Sequence, residues 1–140
     1  MEENIFENIK KENIILPLQM LENFTNTFNK TFEGKLVFEV KSAMENNNDL
    51  WAGIGEALQE KEEKNMVVRA NIVAPTLNGY KLLVLKLVYK ISQVYPCRIY
   101  NILENQSIDC KESGKVQNEL KKIFTSESFQ KPVRMLLAQV

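Results

Sequence analysis

Residues 71–103, NIVAPTLNGYKLLVLKLVYKISQVYPCRIYNIL, are rich in branched and aromatic side chains and nearly empty of catalytic ones. Branched and aromatic residues in short alternating runs suit a pleated, half-buried surface. The first run, NMVVRANIVA, places Met66, Val68, Ala70 and Ile72 on one face and halts at Pro75, whose ring cannot continue a ladder. Asn78-Gly79 follows, a pair that tolerates the positive φ of a tight turn. Beyond it, Leu83, Leu85, Leu87, Tyr89 and Ile91 alternate against Lys86 and Lys90. A further strand is expected from about Tyr95 to Leu103. Strands this close in sequence, joined by short turns, pair as an antiparallel meander.

Working outward, KLVFEVKSA supplies the strand before the meander. Leu36, Phe38 and Val40 share one face, with Glu39 and Lys41 on the other. Ahead of it, Leu18, Leu21, Phe24, Phe28 and Phe32 recur at helical spacing, Pro17 sits at the first turn, and Gly34 marks the end. A short helix over residues 2–12 is suggested by Ile5, Phe6 and Ile9. At the other end, Val116, Leu120, Ile123 and Phe124 form one apolar stripe. Phe129, Val133, Leu136 and Leu137 form another, capped by Ser126 or Ser128. The expected fold is therefore α+β: a two-layer sandwich with an antiparallel four-stranded meander and, on one face, an N-terminal helix and two C-terminal helices. One domain, 1–140, accommodates it. Residues 45–64 read as an insert between the first two strands, with a short amphipathic helix through Leu50, Trp51, Ile54, Ala57 and Leu58.

Composition narrows the chemistry. Apolar residues make up 44% and charged residues 26%, as in an ordinary globule. No apolar run reaches the ~20 residues that span a bilayer. The start, MEENIFENIKKEN, lacks the plan of a signal peptide, so a cytoplasmic, membrane-free protein is expected. There is no histidine. That removes the usual zinc ligand and the usual general base near neutrality. Cys97 and Cys110 read as reduced, structural thiols. Neither a metal nor a cofactor is expected. The charges are unevenly placed: residues 1–63 hold 13 acidic and 6 basic side chains, and residues 64–140 hold 5 and 12. Such an asymmetry can steer a charged partner.

Glu39-Val40-Lys41 is the one enzymatic pattern. An E-x-K on a strand puts acid and amine on the same face, as in divalent-metal nucleases where the acid holds the ion and the lysine approaches the attacking water. Such sites need a second acid upstream, and here no Asp precedes position 49. Alternating surface charge is the plainer reading. A nucleic-acid reading rests on the basic second half and on Tyr80, Tyr89, Tyr95 and Tyr100 as stacking candidates. Interleaving with core leucines and valines makes it the weaker one.

A binding protein fits the pattern best. Trp51 is the only tryptophan and lies among acidic residues, a setting for an interface anchor. Trp51, Asp49 and Glu56 of the insert, with Tyr89 on the meander, are the binding candidates. No catalytic residue is assigned. The expected partner is a protein, among them a second copy of the chain.

The stretches NIVAPTLNGYKLLVLKLVYKISQVYPCRIYNI and LKKIFTSESFQKPVRMLLAQ together resemble a group of small bacterial single-domain α+β proteins of unassigned function. The shared pattern is I-V-A-P-x-L-[DN]-x-Y, a strand near Y-P, and a C-terminal helix pair closing in L-L-A-Q. The leading ILPLQMLENFTNTFNKTFEGKL is similar to theirs, so the resemblance spans residues 14–42 and 66–139. It implies a compact α+β domain and brings no catalytic residues. Proteins of this kind often sit beside toxin or phage-defence genes, so the resemblance implies an immunity protein or an accessory subunit of such a system. The insert at 45–64 is longer than the pattern leads one to expect.

Overall fold

In the computed structural model, which describes residues 4–46 and 64–140, the elements run α1 (Pro17–Phe32), β1 (Val37–Asn46), β2 (Lys64–Ala74), β3 (Tyr80–Lys90), β4 (Cys97–Asn101), β5 (Gln106–Cys110), α2 (Ser113–Thr125) and α3 (Glu127–Leu137). The five strands form one open antiparallel sheet in the order β1-β2-β3-β4-β5. The α+β class and the meander stand as expected, with one strand more. The strand expected from about Tyr95 to Leu103 is β4; past it the chain folds back at residues 102–105, where Asn105 takes φ 52°, and returns as β5, for which no strand is expected. QSIDC has only one large aliphatic residue, too little alternation to announce a strand.

The inner face of the sheet is the core. Phe38, Val68, Ala70, Ile72, Ala74, Leu85, Leu87, Ile99 and Cys110 are buried beneath the helices. The amphipathic stripes explain the seal. Phe28 of α1, Phe124 of α2 and Phe129 of α3 meet Phe38 of β1, Phe24 joins through Phe124 and Phe32 through Phe28, and ring centroids lie 4.5–6.5 Å apart across the cluster. Edge-on and tilted arrangements dominate, as ring quadrupoles favour. α1 ends through two left-handed residues, Glu33 (φ 47°) and Gly34 (φ 84°). Ser126 Oγ accepts from the Phe129 N–H and caps α3.

Two expectations are corrected. Of the helix expected over residues 2–12, the described part, residues 4–12, is not helical. Residues 5–8 form a turn, closed by hydrogen bonds from the Glu7 N–H to the Asn4 carbonyl and from the Ile9 N–H to the Phe6 carbonyl. The Asn4 side chain takes the Phe6 N–H, and Ile5, Phe6 and Ile9 are 68–75% exposed. A segment this short needs a surface to pack on. The second correction concerns β3. Its register against β2 shifts by one between Ala70 and Asn71, a bulge that inserts Val84. Leu83 therefore pairs with Asn71 on the outer face, while Leu82 and Val84 take up the core side. Ile91 lies past the strand and is 45% exposed.

Candidate functional site

Register assigns every described strand residue to a face. On the side away from the helices, side chains line up in cross-sheet rows: Glu39–Asn71–Leu83, Lys41–Arg69–Lys86–Tyr100–Ser107, Ala43–Val67–Val88–Arg98–Asp109, and Glu45–Asn65–Lys90. This open face carries six cations against three carboxylates among these residues and Lys81. Three cations, Lys41, Arg69 and Lys86, stand side by side on neighbouring strands, where like charges directly opposite repel.

The carboxylates are arranged to relieve that repulsion. Arg69 Nη1 and Nη2 donate to the two oxygens of Glu45 at 3.0 and 3.2 Å. Arg98 donates to both oxygens of Asp109 at 2.7 and 3.1 Å. Glu39 receives Lys81 Nζ at 3.1 Å and Lys41 Nζ at 3.6 Å. The hydrogen bond from Lys81 is the main reason the Glu39 carboxyl lies below its usual range; partial burial opposes it. The hydrogen bond from Arg98 does the same for Asp109. Lys86 has no carboxylate among the described residues and lies over the Tyr100 ring, 5.3 Å from its centroid. It lines a shallow depression of about 360 Å³ with Glu45, Asn65, Val67, Arg69 and Val88. That hollow has an aliphatic floor and a charged rim.

A second concavity, of about 490 Å³, lies under the β4–β5 hairpin against α2, floored by Ile99, Ile108 and Ile123. Its carboxylates already have partners. Glu119 sits between Lys115 and Lys122 at 3.1 and 3.3 Å, and Glu104 accepts from Ser128 and Asn101.

Of the residues singled out from the sequence, Asp49, Trp51 and Glu56 lie outside the described residues. Tyr89 faces the helices and is 7% exposed, so it is a core side chain and presents almost no surface to a partner. Burial also raises its phenol pKa. Glu39 and Lys41 do share the open face, and the space beside Glu39 that a second metal-binding acid would need is taken by the Lys81 ammonium. Among the described residues, no group of three or more His, Cys, Asp or Glu side chains is placed to hold a metal ion. No helix there is long and apolar enough to cross a membrane. Sequence reading missed Arg69, Lys86 and Tyr100 as one row. The signal was present as a cation at a polar position of each strand, but joining them requires the register.

Compared with models of known families, with curated proteins and with solved structures, the chain matches none.

Proposed function

We propose that the chain is a protein-interaction domain without catalytic activity of its own, and that the open face of the sheet is its binding surface. The supporting observation is the Lys41–Arg69–Lys86 row beside the aliphatic floor of Val67 and Val88. Two of its cations are balanced by carboxylates of the same face, and among the described residues Lys86 is held by a ring and no carboxylate. A partner that brings an acidic group to Lys86, with apolar surface around it, completes the charge lattice and buries the floor. The action is steric, in the manner of an immunity protein or an accessory subunit that covers a partner's functional surface. A cytoplasmic setting agrees with the two unpaired, buried thiols.

A nucleic acid is the less favoured occupant of this face. The arginines are forked onto carboxylates, and the Tyr100 ring that would stack a base is covered by Lys86. Glu39 and Lys41 belong to the ionic lattice on this reading rather than to a nuclease centre.

Lys86→Glu tests the proposal. The variant keeps the fold, since Lys86 makes no buried bond, and its melting temperature should stay within a few degrees of the parent. Partners captured from the host by the parent chain should be lost by at least tenfold. Retained capture, or tight salt-sensitive binding of single-stranded RNA that Tyr100→Ala abolishes, would refute it.

A further inference from the structure

Asn29 on α1 treats β1 as a neighbouring strand would. Its Oδ1 accepts from the Phe38 N–H at 2.7 Å, and its Nδ2 donates to the Phe38 carbonyl at 3.2 Å. Both main-chain groups of Phe38 therefore point away from β2, toward the edge where no described strand pairs. The β1–β2 register is unbroken from Val37 to Asn46. Strand alternation then turns the N–H and C=O of Val40, Ser42, Met44 and Asn46 to the same edge. No described residue bonds to these groups in Val40, Ser42 or Met44.

Among the described residues, the edge also lacks several of the devices that protect one, its charges Glu39, Lys41 and Glu45 all lying on the open face. β1 is ten residues long and contains no proline and no bulge. The inward side chains at 40, 42 and 44 are uncharged, and Met44 is 61% exposed. β5, the opposite edge, is only five residues long.

The charges on the open face say which strand fits. In an antiparallel pair of identical β1 strands, a two-fold axis at Ser42 sets Glu39 against Glu45, and one at Lys41 sets Lys41 against itself. An axis at Ala43 sets Lys41 of each copy opposite Glu45 of the other. It also brings the two smallest side chains together where the strands approach most closely. Ser42 then faces Met44 across the seam, and each such pair exchanges two hydrogen bonds. We propose that the chain forms a two-fold dimer by antiparallel pairing of β1 with β1 of a second copy, centred on Ala43, which joins the two sheets into one. The seam is the main-chain edge of β1 and only its register draws on Lys41 and Glu45 of the open face, so the mass of the free chain tests it apart from the reading given above.

Light scattering should show a mass rising from 16.2 kDa toward twice that value as concentration passes through the micromolar range. Ser42→Pro should return the monomer with its circular dichroism unchanged, because the lost N–H points outward and not into the β1–β2 ladder. Ala43→Cys should cross-link to itself on mild oxidation, the two Cα atoms lying about 4.5 Å apart in such a pair. Lys41→Cys, placed opposite Glu45, should not. A chain that stays monomeric throughout overturns the proposal. So does a dimer that survives Ser42→Pro, or one that cross-links at 41 and not at 43. Should Ser42→Pro fail to fold, the comparison of the two cysteine variants decides.

Discussion

Cys97 and Cys110 stand directly opposite each other on β4 and β5, both fully buried on the helix side. Burial, and after it the neighbouring Cys110, pushes the Cys97 thiol up to about 12. Burial likewise raises Cys110. Only a thiolate attacks a disulfide or an alkylating reagent. Both cysteines should therefore be silent to a thiol reagent in mildly alkaline buffer and should react together once denaturant is added. A native protein that titrates two fast thiols would contradict the packing. At this scale the sequence was a fair guide to what is apolar and a poor one to which side it faces. Tyr89 and Tyr100 look alike in composition and context. One is sealed under the helices and the other lies on the open face under Lys86. What separates them is parity along the strands, and a single inserted residue at the Val84 bulge moved Leu83 to the opposite face.

Among the elements, α1 was the most legible, because five apolar residues at helical spacing, an initial proline and a terminal glycine agree with one another. β5 and the first dozen residues were not. β5 has little hydrophobic signal and is held by its ladder to β4, including the Arg98–Asp109 fork. Ile5, Phe6 and Ile9 have the spacing of a helix with nothing described to pack against. Asn29 shows how a polar residue within a helix earns its place through a distant strand. Asn29→Ala leaves the Phe38 N–H and carbonyl without their partners at a partly buried position. The expected loss is about 1–3 kcal/mol in a urea unfolding curve. A loss below about 0.5 kcal/mol would mean that water replaces the amide without cost.

For the whole molecule, pH response follows from three carboxylates. Glu39 and Asp109 are held below the ordinary range by hydrogen bonds from Lys81 and Arg98. In Glu119, burial pulls upward and is outweighed by Lys115 and Lys122. A group whose folded pKa is depressed adds stability that is complete above its unfolded value and is lost as pH falls through the folded one. With no histidine to titrate in between, the melting temperature should be flat from neutrality to about pH 5 and should fall below about pH 4. Asp109 and the lysines that hold Glu39 and Glu119 are well exposed, so the drop should be modest and should shrink in high salt. A steep change near pH 6 would point to a titrating group absent from this account. The open face was legible only in part at this scale. The basic second half was visible as composition, but the acids that balance it on the sheet come from both halves, Glu39 and Glu45 from the first and Asp109 from the second.

The phenylalanine cluster binds α1 and β1 to α2 and α3, which lie some ninety residues later. Among the described residues, the ring neighbours of Phe24, Phe28 and Phe38 beyond α1 and β1 are Phe124 and Phe129. While the chain is still being made on the ribosome, α1 has no complete surface to bury its rings against until α2 and α3 have emerged. Folding thus waits until α2 and α3 have both emerged. Nascent chains arrested before α3 should remain open to protease, and during synthesis the greasy side of α1 is the stretch a chaperone would hold.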